Sequence, residues 1–213
     1  MFVYTGCNTN PIKHKIYTME KITPFKNAEE AIASLDNGGR FYNIFTHAND
    51  QVITEAEVGK VAGMFADKQQ SILFFELATQ LLDETSKAAV IAQFDEKLQA
   101  SYEQFKPVPF AAATVSNNVI MQGIPHHVDS KMKFTGFMMV PVGTVFTMIP
   151  LAHYYEAYEL RNEQGEELMM IAHKKGKEKL PARPITLAGV MKEMKDMDKT
   201  TEGQFVEVSY YVE

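Results

Sequence analysis

Cysteine and tryptophan are scarce in this chain of 213 residues, which contains Cys7 as its one cysteine and no tryptophan. A single cysteine excludes an intramolecular disulfide and any metal cluster held by several thiolates. Because disulfides belong to oxidising compartments, their absence favours a cytoplasmic protein. The chain also lacks GxGxxG, Walker A, GxSxG, HExxH and CxxC motifs. These absences exclude the enzyme and nucleotide-binding classes that such motifs mark.

Positive charge is in deficit, since 21 Lys and Arg face 27 Asp and Glu, for a net charge of −6. Nucleic acid is therefore not the expected partner, because neutralising phosphates requires a concentrated basic surface. Residues 1–20 lack the apolar core of a secretion signal and are interrupted by Lys13, His14 and Lys15. Membrane association is not expected either.

No charged residue occurs in the nineteen positions of residues 134–152, FTGFMMVPVGTVFTMIPLA. This run is nearly as long as a membrane-spanning helix, which needs about 20 apolar residues. However, Pro141, Gly143 and Pro150 interrupt the run, and its β-branched and aromatic residues favour a pleated strand. The run predicts two buried strands, at about 132–140 and 144–149, joined near Pro141 and Gly143.

The first half of the chain has the spacing of helices. Asn27 and Thr54 stand at N-cap positions, and Glu57, three residues after Thr54, completes a capping box. Asn37 and the two glycines that follow it predict the end of the first helix. Five helices are predicted. The first begins after Asn27, the second is short and lies around 40–45, and the third begins after Thr54. The fourth spans about 68–82, and the fifth runs from Asp83 or Ser86 to about 105.

Pro107 and Pro109 end the helical pattern, and short apolar runs separated by turn residues follow them. The predicted strands are 113–122, 132–140, 144–149, 153–161, 167–174, 184–193 and 204–212. We therefore predict an α+β fold with three parts. These are an N-terminal extension at 1–26, a helical domain at 27–106, and at 107–213 an antiparallel β-barrel or strongly curved sheet.

Residues 42–65, YNIFTHANDQVITEAEVGKVAGMF, resemble a degenerate EF-hand, the calmodulin-like helix–loop–helix. In that family a loop of twelve residues binds calcium through oxygen atoms at fixed positions. The resemblance places Asp50, Thr54 and Glu57 at the fifth, ninth and twelfth loop positions. It therefore implies a calcium site at these three residues.

Three residues depart from the EF-hand pattern. Thr46 replaces the first aspartate, Ala48 offers no oxygen at the third position, and Gln51 replaces the glycine of the sharp bend. We therefore expect poor calcium affinity, and a capping box without metal is the alternative explanation. The resemblance further implies that Ile53 bridges Val90 in antiparallel fashion. It also implies that Glu57 accepts from amides near Thr54, and that a common core holds Phe45, Val58, Val61 and Phe65.

His126, His127 and Asp129 are a second candidate metal site, since imidazoles and a carboxylate bind transition metals. Adjacent strand residues point to opposite faces, so the two histidines share a metal only if they lie in a loop. The residues that would complete the site are His153, Glu156 and His173. The alternative is that the histidines are exposed and bind nothing.

Residues 173–183, HKKGKEKLPAR, form a basic loop that would contact phosphates if a β-barrel bound a single strand. The stacking platforms would then be Phe205, Tyr210, Tyr211, Tyr154 and Tyr155. The alternative is a solvated loop with these aromatic residues in the core.

The lack of catalytic motifs favours a non-enzymatic binding or interaction protein that needs no cofactor. One alternative is an enzyme or metal-binding protein with a histidine and carboxylate pocket between the helices and the sheet. Another is a β-barrel that binds single-stranded nucleic acid or another polyanion. The sequence identifies neither a protein or small-molecule partner nor an oligomeric state, and it leaves open whether the chain is an enzyme.

Overall fold

The computed structural model describes residues 20–38, 48–63, 67–142, 145–174, 178–195 and 202–213. For residues 129–142, 145–154, 195 and 202 it describes the backbone alone. This part of the chain contains five α-helices and a mixed sheet of six strands, which confirms the α+β class. None of the described helices has the length and apolar character needed to cross a membrane.

Polar caps set the starts of the helices. The side chains of Asn27, Asp67, Asp83 and Asp95 each accept a hydrogen bond from a backbone amide of the first turn that follows. The helices are α1 (Ala28–Leu35), α2 (Glu55–Val61), α3 (Lys68–Ala78), α4 (Glu84–Ile91) and α5 (Glu96–Phe105). The prediction of one helix up to residue 105 is wrong, because the chain breaks after α4 and Asp95 caps a new helix. The helix predicted at 40–45 lies outside the described residues.

The strands follow the predicted apolar runs, although several are longer. They are β1 (Glu20–Lys21), β2 (Asn118–Val142), β3 (Val145–Arg161), β4 (Glu167–Lys174), β5 (Ile185–Lys195) and β6 (Glu202–Val212). A short 3₁₀ turn, Phe110–Ala112, precedes β2. The predicted strand at 167–174 coincides with β4, and the strands predicted at 132–140 and 144–149 are segments of the longer β2 and β3.

The strand order is β1-β6-β4-β3-β2-β5, and β6 also pairs with β5. The pairings of β2, β3, β4, β6 and β5 therefore form a closed circuit. Two contacts, β1 with β6 and β4 with β6, are parallel, and the others are antiparallel. The predicted antiparallel sheet is thus a mixed sheet, because β5 intervenes along the chain between β4 and β6, and β6 then runs in the direction of β4.

Two glycines lie where strands of the circuit approach each other most closely. β2 pairs with β5 up to Gly123 and with β3 from Ile124 onward. A Cβ atom on Gly123 would lie 2.7 Å from the carbonyl oxygen of Arg161. A Cβ atom on Gly189 would lie 2.5 Å from the carbonyl oxygen of Glu207. Only glycine allows the backbones to approach this closely.

The two faces of the sheet contribute to different cores. One core joins helix residues to Ala188, Val190 and Tyr210. The other contains Leu187 and Tyr211 from the opposite face, and none of its described members belongs to a helix. Alternation along β5 separates the two cores, and along β6 a register shift between Val208 and Tyr210 changes which positions face each core. The helices therefore cover one face of these strands.

β2 and β3 continue beyond the rest of the sheet as a two-stranded ribbon, defined here as residues 133–142 and 145–154. Its pairs run from Lys133 with Tyr154 to Val142 with Val145. Within the described residues the ribbon pairs only with itself, because β5 ends its pairing with β2 at Gly123. The predicted break near Pro141 is confirmed, since β2 ends at Val142 and β3 begins at Val145. The predicted burial of the two strands lies outside what the structure describes.

Candidate functional site

Glu57, at the twelfth position of the EF-hand-like loop, is fully buried, and its carboxylate accepts hydrogen bonds from described residues. Its Oε1 accepts from the amide of Gly38 at 2.6 Å. Its Oε2 accepts from the amide of Thr54 at 2.9 Å and from the Thr54 hydroxyl at 2.8 Å. The prediction that Glu57 accepts from backbone near Thr54 is confirmed. Both carboxylate oxygens are thereby engaged by protein donors.

The other carboxylates of this region also hold backbone amides. Asp36, which is buried, accepts from the amides of Asp50 at 3.2 Å and Gln51 at 2.8 Å. The Asp50 side chain accepts from the amide of Val52 at 3.0 Å. These acidic groups stabilise the loop, and the described residues contain no cluster of three or more potential metal ligands.

The backbone bend at the sixth loop position is present without glycine. Gln51 has a φ of 67°, the left-handed conformation, and its amide is held by Asp36. The predicted antiparallel bridge of Ile53 to Val90 is wrong. Ile53 instead bridges Phe94 in parallel, because the backbone of Val90 belongs to α4. Membership of the EF-hand family stays a prediction.

The predicted common core of the loop is present only in part. Val58 is fully buried together with Ile53, whereas Val61 is 37% exposed. Phe45 and Phe65 lie outside the described residues. Val61 stands at the end of a helix of seven residues, and its exposure follows from that position.

A second group of polar residues lies where the ribbon leaves the sheet. His127 of β2 pairs with Tyr158 of β3, and Glu156 of β3 pairs with His173 of β4. We call these four residues the His–Glu cluster. Tyr158 belongs to the core that has no helix members, so this cluster does not lie between the helices and the sheet.

One half of the His–Glu cluster is an imidazole and carboxylate pair. The Nε2 of His127 lies 2.8 Å from the Oε2 of Glu156. The Glu156 side chain is 6% exposed and the His127 side chain is 35% exposed. When Nε2 carries the proton that Glu156 accepts, Nδ1 of His127 is the nitrogen free to act as a base. A buried carboxylate that orients a half-exposed imidazole is an arrangement suited to proton transfer.

The other half is a chain of hydrogen bonds that fixes a neutral histidine. His173 Nδ1 lies 3.0 Å from the carbonyl oxygen of Lys174, which can only accept, so Nδ1 carries the proton. Nε2 then accepts from the Tyr158 hydroxyl at 3.3 Å, and that hydroxyl accepts from the amide of Leu180 at 3.2 Å. Burial lowers the pKa of His173 and raises the pKa of Tyr158, so both are neutral near pH 7.

The sequence-predicted metal residues do not come together around this cluster. His126 and His127 both lie in β2, whose alternation puts them on opposite faces, and His126 is exposed. The loop that a shared metal would require is therefore not formed there. The side chains of Asp129 and His153 lie outside the described part. Sequence reasoning named Glu156 and His173 but missed Tyr158, which the alternation of β3 places beside them.

The predicted stacking platforms are not available at the surface. Tyr155, Phe205, Tyr210 and Tyr211 are all buried, and the side chain of Tyr154 is outside the described part. In the basic loop, the Nζ atom of Lys174 lies 3.4 Å from Oε1 of Glu207, so this carboxylate partly neutralises the charge of Lys174. Bases could stack on these buried rings only after the residues that cover them had moved.

A cleft of about 460 Å³ lies where β2 changes its partner from β5 to β3. Its walls carry side-chain amides and carboxylates, and none of the sequence-predicted site residues contributes to it. The lining includes Gln80, Gln122, Asn162, Glu163, Gln164 and Thr186.

No protein-family model and no curated protein matches this chain.

Proposed function

We propose that the protein is a non-enzymatic binding protein and that the ribbon is its interaction element. One observation carries the proposal: residues 134–152 contain no charge, and the described ribbon strands pair only with each other. A two-stranded ribbon that lacks packing is marginally stable in water at best. An uncharged ribbon of this length therefore needs a partner surface.

The register makes both faces of the ribbon apolar. Met138 pairs with Ile149 on one face, and Met139 pairs with Met148 on the other. A strand pair with one face packed and the other solvated would alternate apolar with polar positions. Large exposed apolar patches mark interaction sites, so this composition supports binding.

The rest of the chain supports the ribbon. In the proposed arrangement the strand circuit is a small closed β-barrel with the helices on one side. Register shifts at His127, Asp129 and Met132 re-aim β2 as it leaves the circuit. The hydrogen bond between His127 and Glu156 joins the two strands at that point. The scaffold thereby sets the direction of the ribbon.

The test is site-specific photo-crosslinking of the full chain in cells. A photoreactive amino acid replaces Phe137 in the ribbon or, as the control, Leu81, an apolar residue that is 66% exposed elsewhere. We expect adducts of defined mass from position 137 and none from position 81. Equal labelling at the two positions would refute the proposal.

An enzyme is the second candidate function, favoured by the pairing of His127 with Glu156. Here His127 would act as a general base, with Glu156 fixing its tautomer. Turnover of ester, phosphate ester or glycoside substrates should then be lost in His127→Gln and retained in His126→Gln. If the parent chain turns over none of the three substrate classes, the enzyme hypothesis is refuted and the binding role stands.

A further inference from the structure

We infer that the partner of the ribbon is the ribbon of a second copy of this chain, packed face to face. This inference rests on the proposed function and names its partner. It follows from the positions of the two prolines, the composition of the two faces and the absence of charge.

The prolines interrupt both edges of the ribbon. Pro141 pairs with Phe146 and Pro150 pairs with Phe137, so both prolines fall in the same alternating set of pairs. A proline nitrogen cannot donate within the ladder, so this set directs its backbone nitrogens to the outer edges. Each edge therefore lacks one donor, and neither offers an unbroken row for an added strand.

Because the edges are interrupted, the two faces of the ribbon are the surfaces through which it can associate. Alternation puts positions 135, 137, 139 and 141 on one face together with their partners at 146, 148, 150 and 152. That face contains two phenylalanines, two methionines and two prolines. Stacked sheets lie about 10 Å apart, so two such faces form a dry layer without any edge pairing.

A second copy satisfies this surface better than other occupants do. Two identical faces related by a two-fold axis are complementary without needing any charge to select the partner. A lipid bilayer would leave the edge amides and carbonyls unsatisfied in hydrocarbon. Two chains of net charge −6 repel each other, and contact through the uncharged ribbon adds no further like charge to the interface.

The expected contact area indicates a reversible dimer. Ten residues per strand give a face about 33 Å long and about 10 Å wide. Two such faces with their side chains bury on the order of 1,000 Å², which is the lower range of specific interfaces. Association should therefore depend on concentration.

Sedimentation velocity of the purified full chain tests the inference. We expect twice the chain mass at high concentration and the monomer mass on dilution. Met139→Glu puts a charge on the stacked face and should give monomers at all concentrations, whereas the control Leu81→Glu should dimerise as the parent does. A chain that stays monomeric at every concentration overturns the inference.

A shortened chain covers the case in which Met139→Glu disturbs folding. Residues 135–152 are replaced by Asn-Gly, which joins Phe134 and His153 through a two-residue turn; these register partners belong to the set of pairs without proline, as does the pair Val142 and Val145 that closes the natural turn. This variant should be monomeric at all concentrations, and dimers formed without the ribbon would overturn the inference. In addition, Pro141→Val with Pro150→Val restores the edge donors and should give assemblies larger than dimers.

The outcomes separate the inference from the proposed function. A monomeric parent that crosslinks to a different protein at position 137 refutes the second copy and retains the binding role. A monomeric parent without adducts refutes both. Retention of the monomer on phosphatidylcholine and phosphatidylglycerol vesicles, lost on shortening the ribbon, makes lipid the partner and also refutes the second copy.

Discussion

Glu57 forms the predicted contact with Thr54 and a second contact that its local sequence does not indicate. A capping box needs one carboxylate oxygen, and glutamine fills that role. Here both oxygens accept, one of them from Gly38, nineteen positions earlier in the chain. The side chain therefore ties the end of the first helical segment to the start of α2.

Replacing Glu57 with Gln should lower the free energy of unfolding by about 1–3 kcal/mol, because one amide N–H group would then face a buried donor. Urea unfolding measures the loss, and Glu29→Gln, at an exposed position in α1, is the control. Calcium should leave the melting temperature of the parent unchanged. A calcium-dependent rise that Glu57→Gln abolishes would instead support the EF-hand interpretation.

His173 should make stability depend on pH. Burial lowers its pKa below the ordinary 6.5, so the folded state holds this proton less tightly than the unfolded state does. Its stabilising contribution is complete above about pH 6.5 and is lost as the pH falls towards the folded-state pKa, by at most about 1.4 kcal/mol per pH unit.

The measurement is urea unfolding of the parent, His173→Gln and His126→Gln at a series of pH values below neutral. His173→Gln should show a shallower fall in unfolding free energy with decreasing pH. His126→Gln, at an exposed position, should follow the parent. Identical pH dependence in all three chains would contradict a buried neutral His173.

Local contacts at the residue scale were predictable and distant ones were not. The cap at Asn27 and the bond between Glu57 and Thr54 span three residues, so their spacing is visible in the sequence. The contact of Asp36 with Gln51 and that of Tyr158 with His173 depend on how loops and strands are placed. Asp129 was predicted as a metal ligand from its carboxylate alone. The face of the sheet on which it lies could not be predicted, because a register shift beside it alters the alternation.

At the scale of elements, the strands were easier to predict than their pairing. β-branched and aromatic runs marked β2 to β6, since these residues suit a pleated surface. The parallel contact of β4 with β6 arises from the order in which the chain crosses the sheet, which no local pattern encodes. The single predicted helix at 83–105 failed for a similar reason, because the break between α4 and α5 is held by the distant Ile53, which bonds Gln93 and Asp95.

Gly189 should be essential to the closure of β5 against β6. Gly189→Ala should cost about 1–3 kcal/mol of unfolding free energy, because the added methyl group meets a backbone oxygen that has no room to move. In Gly203→Ala the nearest atom is 3.4 Å away, at the flexible end of Met194. That control should change stability by less than about 0.5 kcal/mol. Equal costs in the two variants would place the tight contact elsewhere.

At the scale of the whole molecule, the lack of charge in residues 134–152 was interpreted as burial within the chain. Composition reports that a surface avoids water, but it does not say whether the covering surface belongs to the same chain. Among the described residues, the neighbouring strands do not pair with this run. β5 ends its pairing with β2 at Gly123, and β4 pairs with β3 only from Tyr155 onward, so the apolar strands extend past their neighbours.

The shortened chain, with Asn-Gly in place of residues 135–152, should keep the fold of the body. The pairs that join β2 to β5 and β3 to β4 all lie outside the removed residues, so removing the ribbon keeps the pairing of these strands. The variant should therefore unfold cooperatively. The parent should melt at a higher temperature as its concentration rises, since dimerisation adds free energy to the folded state, and the shortened chain should melt at one temperature throughout. Differential scanning calorimetry at several concentrations measures both. Loss of cooperative unfolding in the shortened chain would show that the ribbon belongs to the core of its own chain, as the sequence first indicated.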